Sequence, residues 1–162
     1  MKIQPFRLVS SHRLLTRLAP LLVATLALLP SAAHAQGAIE AWVQRYNGPG
    51  DGVEFAYAMA VDTNGNVYVT GESLGIGGGS DFATIAYSSA GVPLWTNRYN
   101  NGSENSNDKA SALAVDASGN VFVTGTSETG LPDYLSFVAT IKYSGAGMPL
   151  WTNRYSAPGY LV

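Results

Sequence analysis

The chain has no cysteine, and its two histidines, His12 and His34, both fall in the first thirty-five residues. The remainder therefore holds no disulfide, no thiol nucleophile, no histidine for a Ser/His/Asp triad and no zinc site of the usual kind. Charge is scarce as well, at 12% of residues. No stretch sustains a 3.6-residue apolar period, and glycine recurs throughout, so long helices are not expected.

Those first thirty-five residues differ from the rest. Lys2, Arg7, Arg13 and Arg17 form a basic lead, Leu18–Leu29 is an apolar run broken only by Pro20 and Thr25, and Ala33-His34-Ala35 fits a small-residue cleavage site. The run falls short of the ~20 apolar residues of a membrane span. The segment 1–35 is expected to be a signal peptide, cleaved before Gln36, with the protein exported to the periplasm or beyond and no membrane span left after cleavage. Four cations leave with it, so five remain against eleven acids, a net charge of −6. That balance disfavours nucleic acid and anionic membranes as partners.

What remains is repetitive. Asp62-Thr63-Asn64-Gly65-Asn66-Val67-Tyr68-Val69-Thr70-Gly71 returns as Asp116-Ala117-Ser118-Gly119-Asn120-Val121-Phe122-Val123-Thr124-Gly125. Asp-x-x-Gly suits a tight hairpin turn, and the β-branched and aromatic run after it reads as a strand ending at the glycine. Trp42-Val43-Gln44-Arg45-Tyr46 recurs as Trp95-Thr96-Asn97-Arg98-Tyr99 and Trp151-Thr152-Asn153-Arg154-Tyr155. A period in the fifties made of strand and turn points to a blade-like repeat. Repeat 1 spans about 42–94, repeat 2 about 95–150, and a third starts at 151–162.

Each repeat is read as four strands. In the first copy they are Ala41–Tyr46, Ala56–Val61, Val67–Thr70 and Phe82–Tyr87. In the second they are Trp95–Tyr99, Ala110–Val115, Val121–Thr124 and Val138–Tyr143. Alternation puts Ala56, Ala58 and Ala60 on one face and Tyr57, Met59 and Val61 on the other, with no charge on either. Sheets covered on both sides are expected.

The block Ala-x-Ala-Val-Asp-x-x-Gly-Asn-Val-(Tyr/Phe)-Val-Thr-Gly, with Gly-x-Pro-Leu-Trp closing each repeat, resembles the seven-bladed β-propeller repeat (SBBP) of exported bacterial proteins. The resemblance runs from about Ala41 to Tyr155. It implies an all-β fold of four-stranded antiparallel blades and says little about activity. Two repeats are fewer than the ~4–8 blades of a closed propeller. An incomplete propeller of two blades is therefore expected, either a piece of a longer protein or one of several chains completing a ring. Such a piece is not expected to behave as a stable monomer.

Candidate chemistry is thin. Asp62-x-Asn64-x-Asn66 starts like a calcium loop, but Val67 follows where glycine belongs and no glutamate closes it, so a hairpin turn is preferred. Gly77-Gly78-Gly79 lacks the Lys-Ser/Thr of a phosphate loop. Asn101-Gly102-Ser103 matches a glycosylation acceptor. The recurring Trp and Tyr residues are read as blade core rather than a sugar-stacking surface. Arg45, Arg98 and Arg154 could line a channel, but pairing with repeat carboxylates such as Asp62 and Asp116 is expected instead.

Asp51, Glu54, Asp81, Glu104, Asp108, Glu128 and Asp133 could supply a paired-carboxylate hydrolase, but nothing fixes their separation. No catalytic residue, metal ligand or cofactor is assigned. Ligand-binding candidates are Asp51, Ser80, Asp81, Glu104, Asp108 and Asp133, in the connections where the copies differ. The sequence reads as an exported, non-catalytic propeller module that scaffolds interaction with a protein or surface glycan, or with further blades of its own propeller. The alternative is a fragment of a propeller-fold hydrolase or quinone-dependent oxidoreductase.

Overall fold

The computed structural model describes residues 39–102, 105–130 and 135–156. The leader read over 1–35 lies outside the described residues, as do Glu104 and Asp133. Among the described residues the fold is all-β. The strands are β1 (Glu54–Val61), β2 (Val67–Leu74), β3 (Ser80–Tyr87), β4 (Pro93–Tyr99), β5 (Asp108–Val115), β6 (Val121–Glu128), β7 (Ser136–Tyr143) and β8 (Pro149–Tyr155). They make two antiparallel meanders, β1-β2-β3-β4 and β5-β6-β7-β8.

One turn chemistry serves all four short hairpins. In the first, the Asp62 amide donates to the Asn66 carbonyl (3.0 Å) and the Gly65 amide to the Asp62 carbonyl (3.1 Å). Gly65 has φ +80°, which a side chain would resist. The Asp62 carboxylate accepts the Asn64 and Asn66 amides at 2.8 and 2.9 Å, and Asp116 does the same in β5–β6. Ser88 and Ser144 take that place in the other two hairpins, each hydroxyl accepting an amide four residues on.

The sheets are cut one strand out of phase with the repeat. The Trp95 segment expected to open the second blade is β4 and closes the first, and the Trp151 segment is β8 and closes the second. The expected first strand, Ala41–Tyr46, is not a strand. It has no neighbour to complete a backbone ladder, and it lies on the first sheet through its side chains instead.

Gly71 corrects a second expectation. The strand does not end there: β2 runs on to Leu74. Gly71 faces a bulge between Ala56 and Ala58. A Cβ on Gly71 would collide with the Phe55 carbonyl oxygen, and one on Gly125 with that of Lys109. Glycine here is what lets the bulged backbone come close. The bulge also divides the alanine row. Ala58 and Ala60 stand opposite Thr70 and Tyr68, while Ala56, opposite Gly71, turns to the other face.

Each sheet has two distinct faces, fixed by register. The forward face of the first carries the rows Tyr68–Ala86–Trp95 and Glu72–Phe82–Tyr99, with Thr70 beside Thr84. Its rear face carries Val67 beside Tyr87, Val69 beside Ile85, and Ala83 beside Arg98. The main core forms where the first forward face meets the second rear face. Tyr68, Phe82 and Ala86 are buried there against Val121, Val123, Ala139, Ile141 and Tyr143. Burial of these apolar groups is the main force holding the sheets together. The one polar pair at the centre of the forward face is satisfied, since the Thr70 and Thr84 hydroxyls lie 2.9 Å apart and Thr70 donates to the Ala83 carbonyl.

Candidate functional site

Antiparallel meanders return alternate connections to one end. The turns at 62–66 and 88–92 lie together, with the Cβ position of Gly65 3.2 Å from that of Ser89. The longer connections gather at the opposite end. The Gly50 amide donates to the Leu74 carbonyl (3.2 Å), Ser80 bridges to Asn107, and the Glu128 amide donates to Asn107 (3.1 Å). The connections at 48–53 and 75–79, with residues 100–102 and 105–107, thus share one end of the sheets.

The four described candidates in this end sit differently. Asp51 is exposed, in the left-handed region at φ +47°, and takes the Asn47 amide at 2.7 Å. Ser80 is half-buried at the Asn107 bridge. Asp81 is buried and forms an ion pair with Arg98 at 2.8 Å, while its other oxygen accepts the Asn100 amide at 2.9 Å. Asp108 is fully buried, accepting the Asn101 amide at 3.2 Å and facing the Ser106 hydroxyl. Burial pushes the Asp108 carboxyl above its ordinary range, against the Ser127 hydroxyl and Asn101 amide that favour its charged form. Asp81 adds a repulsive charge nearby. Both carboxylates therefore underlie the loop end, and the exposed residues of its connections include Asp51, Ile76, Gly77, Gly78 and Gly102.

Arg98 organises this end of the first sheet. It pairs with Asp81 rather than with the expected Asp62, because Asp62 lies in a turn at the opposite end of the strands. Its guanidinium also donates to the Ser73 hydroxyl and carbonyl, the Leu74 carbonyl and the Tyr46 hydroxyl. Burial opposes its charge, and the bonds to Asp81 and Tyr46 more than restore it, so its pKa lies above the ordinary value. A tie between the sheets runs through Glu72, which accepts the Tyr57 hydroxyl at 2.6 Å and meets the Lys109 ammonium of β5 at 3.4 Å.

A cleft lies on the rear face of the first sheet, where the sequence reading placed no site. It holds about 240 Å³ between the segment carrying Trp42, Gln44 and Tyr46 and a floor of Ala56, Val69, Ala83, Ile85 and Tyr87. Glu54 stands on its lining and accepts the Gly48 amide at 2.9 Å. The signal that could have found it was the first copy of the Trp-x-x-x-Tyr motif, at Trp42 and Tyr46, which needed a sheet to rest on. Among the described residues, no group of three or more acids or histidines is placed to hold a metal ion. No helix there is long and apolar enough to cross a membrane.

Stacked four-stranded antiparallel meanders, repeated along one chain, are blades of a propeller type, here two of them without closure. The sequence model of the β-propeller repeat family SBBP matches residues 41–78, which cover the Trp42 segment, β1 and β2. Over residues 41–78 the chain is thus similar to the β-propeller repeat of that family. No curated protein matches the chain.

Proposed function

We propose that the protein is an exported, non-catalytic propeller module whose loop end binds a protein or a surface glycan. The observation that carries this reading is the gathering of the non-repeating connections at one end, above the buried Asp81 and Asp108. The opposite end is built of hairpins with the same hydrogen bonds in both repeats, which serve the blade itself. A surface that departs from the repeat is free to take on recognition. Its exposed acid and glycine-rich backbone suit polar or cationic partners.

The test exchanges residues 76–78 together with Asp51 for a Gly/Ser link and Asn. Immobilised neutral polysaccharide and a lysine-rich peptide are the probes. Retention on either probe that is lost in the exchanged chain, and kept when Thr63 and Ala117 in the hairpin turns are substituted, supports the reading. Equal retention by all three chains overturns it. N-terminal sequencing of material from the periplasm or medium should begin at Gln36; a start at Met1 would remove the cleaved signal peptide alone, and absence of the protein from both fractions would remove the export part.

A further inference from the structure

The Trp42 segment repeats five contacts that β4 and the residues after it make one sheet later. The Trp42 indole donates to the Ser89 carbonyl at 3.2 Å, and the Trp95 indole to the Gly145 carbonyl at 3.0 Å. Trp42 lies 5.8 Å from the Tyr87 ring at 39°, and Trp95 lies 5.9 Å from the Tyr143 ring at 42°. Gly91 and Gly147 lie beneath these indoles, where a Cβ would come within 2.6 and 2.7 Å of the rings. The Tyr46 hydroxyl accepts from Arg98, and the Tyr99 hydroxyl from Arg154. The Gly48 amide meets Glu54 as the Asn101 amide meets Asp108.

Five matching contacts define one seat, present on both rear faces. On the second rear face the seat holds β4, and the three strands beside β4 fill the rest of the interface with Tyr68, Phe82 and Thr84. On the first rear face it holds only the Trp42 strap, and the cleft of about 240 Å³ is part of the space that those strands' side chains would fill. The opposite end of the stack shows the converse. The forward face of the second sheet carries the rows Phe122–Lys142–Trp151 and Val138–Tyr155, with Thr124 beside Thr140. Trp151, Val138 and Tyr155 are 40%, 49% and 64% exposed, although their counterparts Trp95, Phe82 and Tyr99 pack in the main core.

We infer that the chain associates head to tail with a second copy, the forward face of one copy's second sheet docking on the rear face of the next copy's first sheet, with β8 taking the seat of the Trp42 strap. Trp151 then rests over Gly91 against Tyr87, and Tyr155 reaches Arg98. Phe122 and Val138 enter the cleft. The contact is heterologous, so it propagates to rings or open chains rather than stopping at a symmetric dimer.

One substitution works against docking. Lys142 stands where the fully buried Ala86 stands in the internal interface. Its ammonium lies 4.9 Å from the centre of the Phe122 ring and its charge acts on Asp116 at the hairpin end, so the stem can cover apolar surface while the head stays wet. Lys142 and the strap both limit the association. This inference stands on the repeat of the seat and does not depend on what the loop end binds.

The experiment is sedimentation of the full chain over a range of concentrations, with far-UV circular dichroism as a check on folding. Trp151→Ala should weaken association about thirty-fold or more, as loss of a central aromatic anchor does. Trp42→Ala, which loosens the strap, and Lys142→Ala, which restores the small residue of the internal interface, should each strengthen it. Ala56→Arg, at an exposed position lining the cleft, should block the rear face. Trp151→Ala and Ala56→Arg chains should each be monomeric alone, and mixed they should form a dimer and nothing larger, because one good face of each kind remains. Monomers throughout, in the Trp42→Ala and Lys142→Ala chains as well as the parent, overturn the inference. So does association weakened by Trp42→Ala, or a mixture that stays monomeric while both components are folded.

Discussion

The two sheets are near copies in sequence and register, yet they are not equally buried. In the first, every residue of β3 from Asp81 to Tyr87 is buried, because the second sheet covers one face and the Trp42 strap the other. In the second, β7 alternates, with Ala139, Ile141 and Tyr143 buried while Val138 is exposed. Position in the stack, not the strand's own sequence, decides whether an apolar side chain is core. The polar ends diverge in the same way. Arg98 has Asp81 as its ion partner, whereas Arg154 finds Phe137 at the equivalent place and lies 5.9 Å from its ring.

What the sheets share should break equally in both. Gly71→Ala and Gly125→Ala each drive a methyl group into the backbone carbonyl across the bulge, and neither carbonyl can move without undoing its strand. Each should cost about 3 kcal/mol or more in urea unfolding, at the severe end for a single substitution. Gly119→Asn is the control, since its φ of +78° suits asparagine and nothing lies within 4 Å of its Cβ position. It should cost less than about 1 kcal/mol. A clear difference between Gly71→Ala and Gly125→Ala would mean that the bulges do not bear equally on the two sheets.

What differs should break unequally. Arg98→Met leaves the buried Asp81 carboxylate without its ion partner and frees the Ser73 and Leu74 carbonyls, so a loss of about 2–4 kcal/mol is expected. Arg154→Met removes an exposed bond to Tyr99 at 2.7 Å and should cost no more than about 1 kcal/mol. Chemical unfolding of the two variants beside the parent measures both. Equal losses would mean that Asp81 contributes little to holding the first sheet.

The sequence carried the all-β fold because its two periodic signals are local: hairpin turns set by Asp-x-x-Gly or by serine with glycine, and β-branched runs after them. Strand phase was not local. Trp95-Thr96-Asn97-Arg98-Tyr99 looks alike whether it opens a blade or closes one, and only the pairing of β4 with β3 decides. The bulge opposite Gly71 was hidden for a related reason, since a glycine inside a strand and one at its end read the same without the partner backbone. At the loop end, an acid's place in a connection said nothing of its burial. Asp51 is exposed, whereas Asp81 is buried beside Arg98 of the following strand and Asp108 at the start of β5 on the second sheet. Arg98 was mispaired for want of knowing which end of the sheet each turn occupies.

The smallest expected effect is in the pH profile, and it again separates the two kinds of carboxylate. Burial works against the charge of Asp62, but the Asn66, Asn64 and Tyr68 donors outweigh it and hold the carboxyl below its ordinary value; Asn120 and Ser118 do the same for Asp116. Such groups add stability that is present above the unfolded pKa and lost as pH falls through the folded one. Asp108 has the opposite sign. Burial raises its folded pKa above the unfolded value, so between the two the folded chain binds more protons, and stability falls as pH rises through that window. Above the window the penalty stays constant. Asp108→Asn removes it and keeps an oxygen for the Asn101 amide. Relative to the parent, the variant should gain stability as pH rises from the ordinary aspartate range towards neutral, and the difference should then level off. Urea midpoints of the two chains, taken at a series of pH values from acid to neutral, read that difference directly. A difference constant across the series would mean that Asp108 titrates as an ordinary surface acid, and that the loop end is wetter than its packing implies.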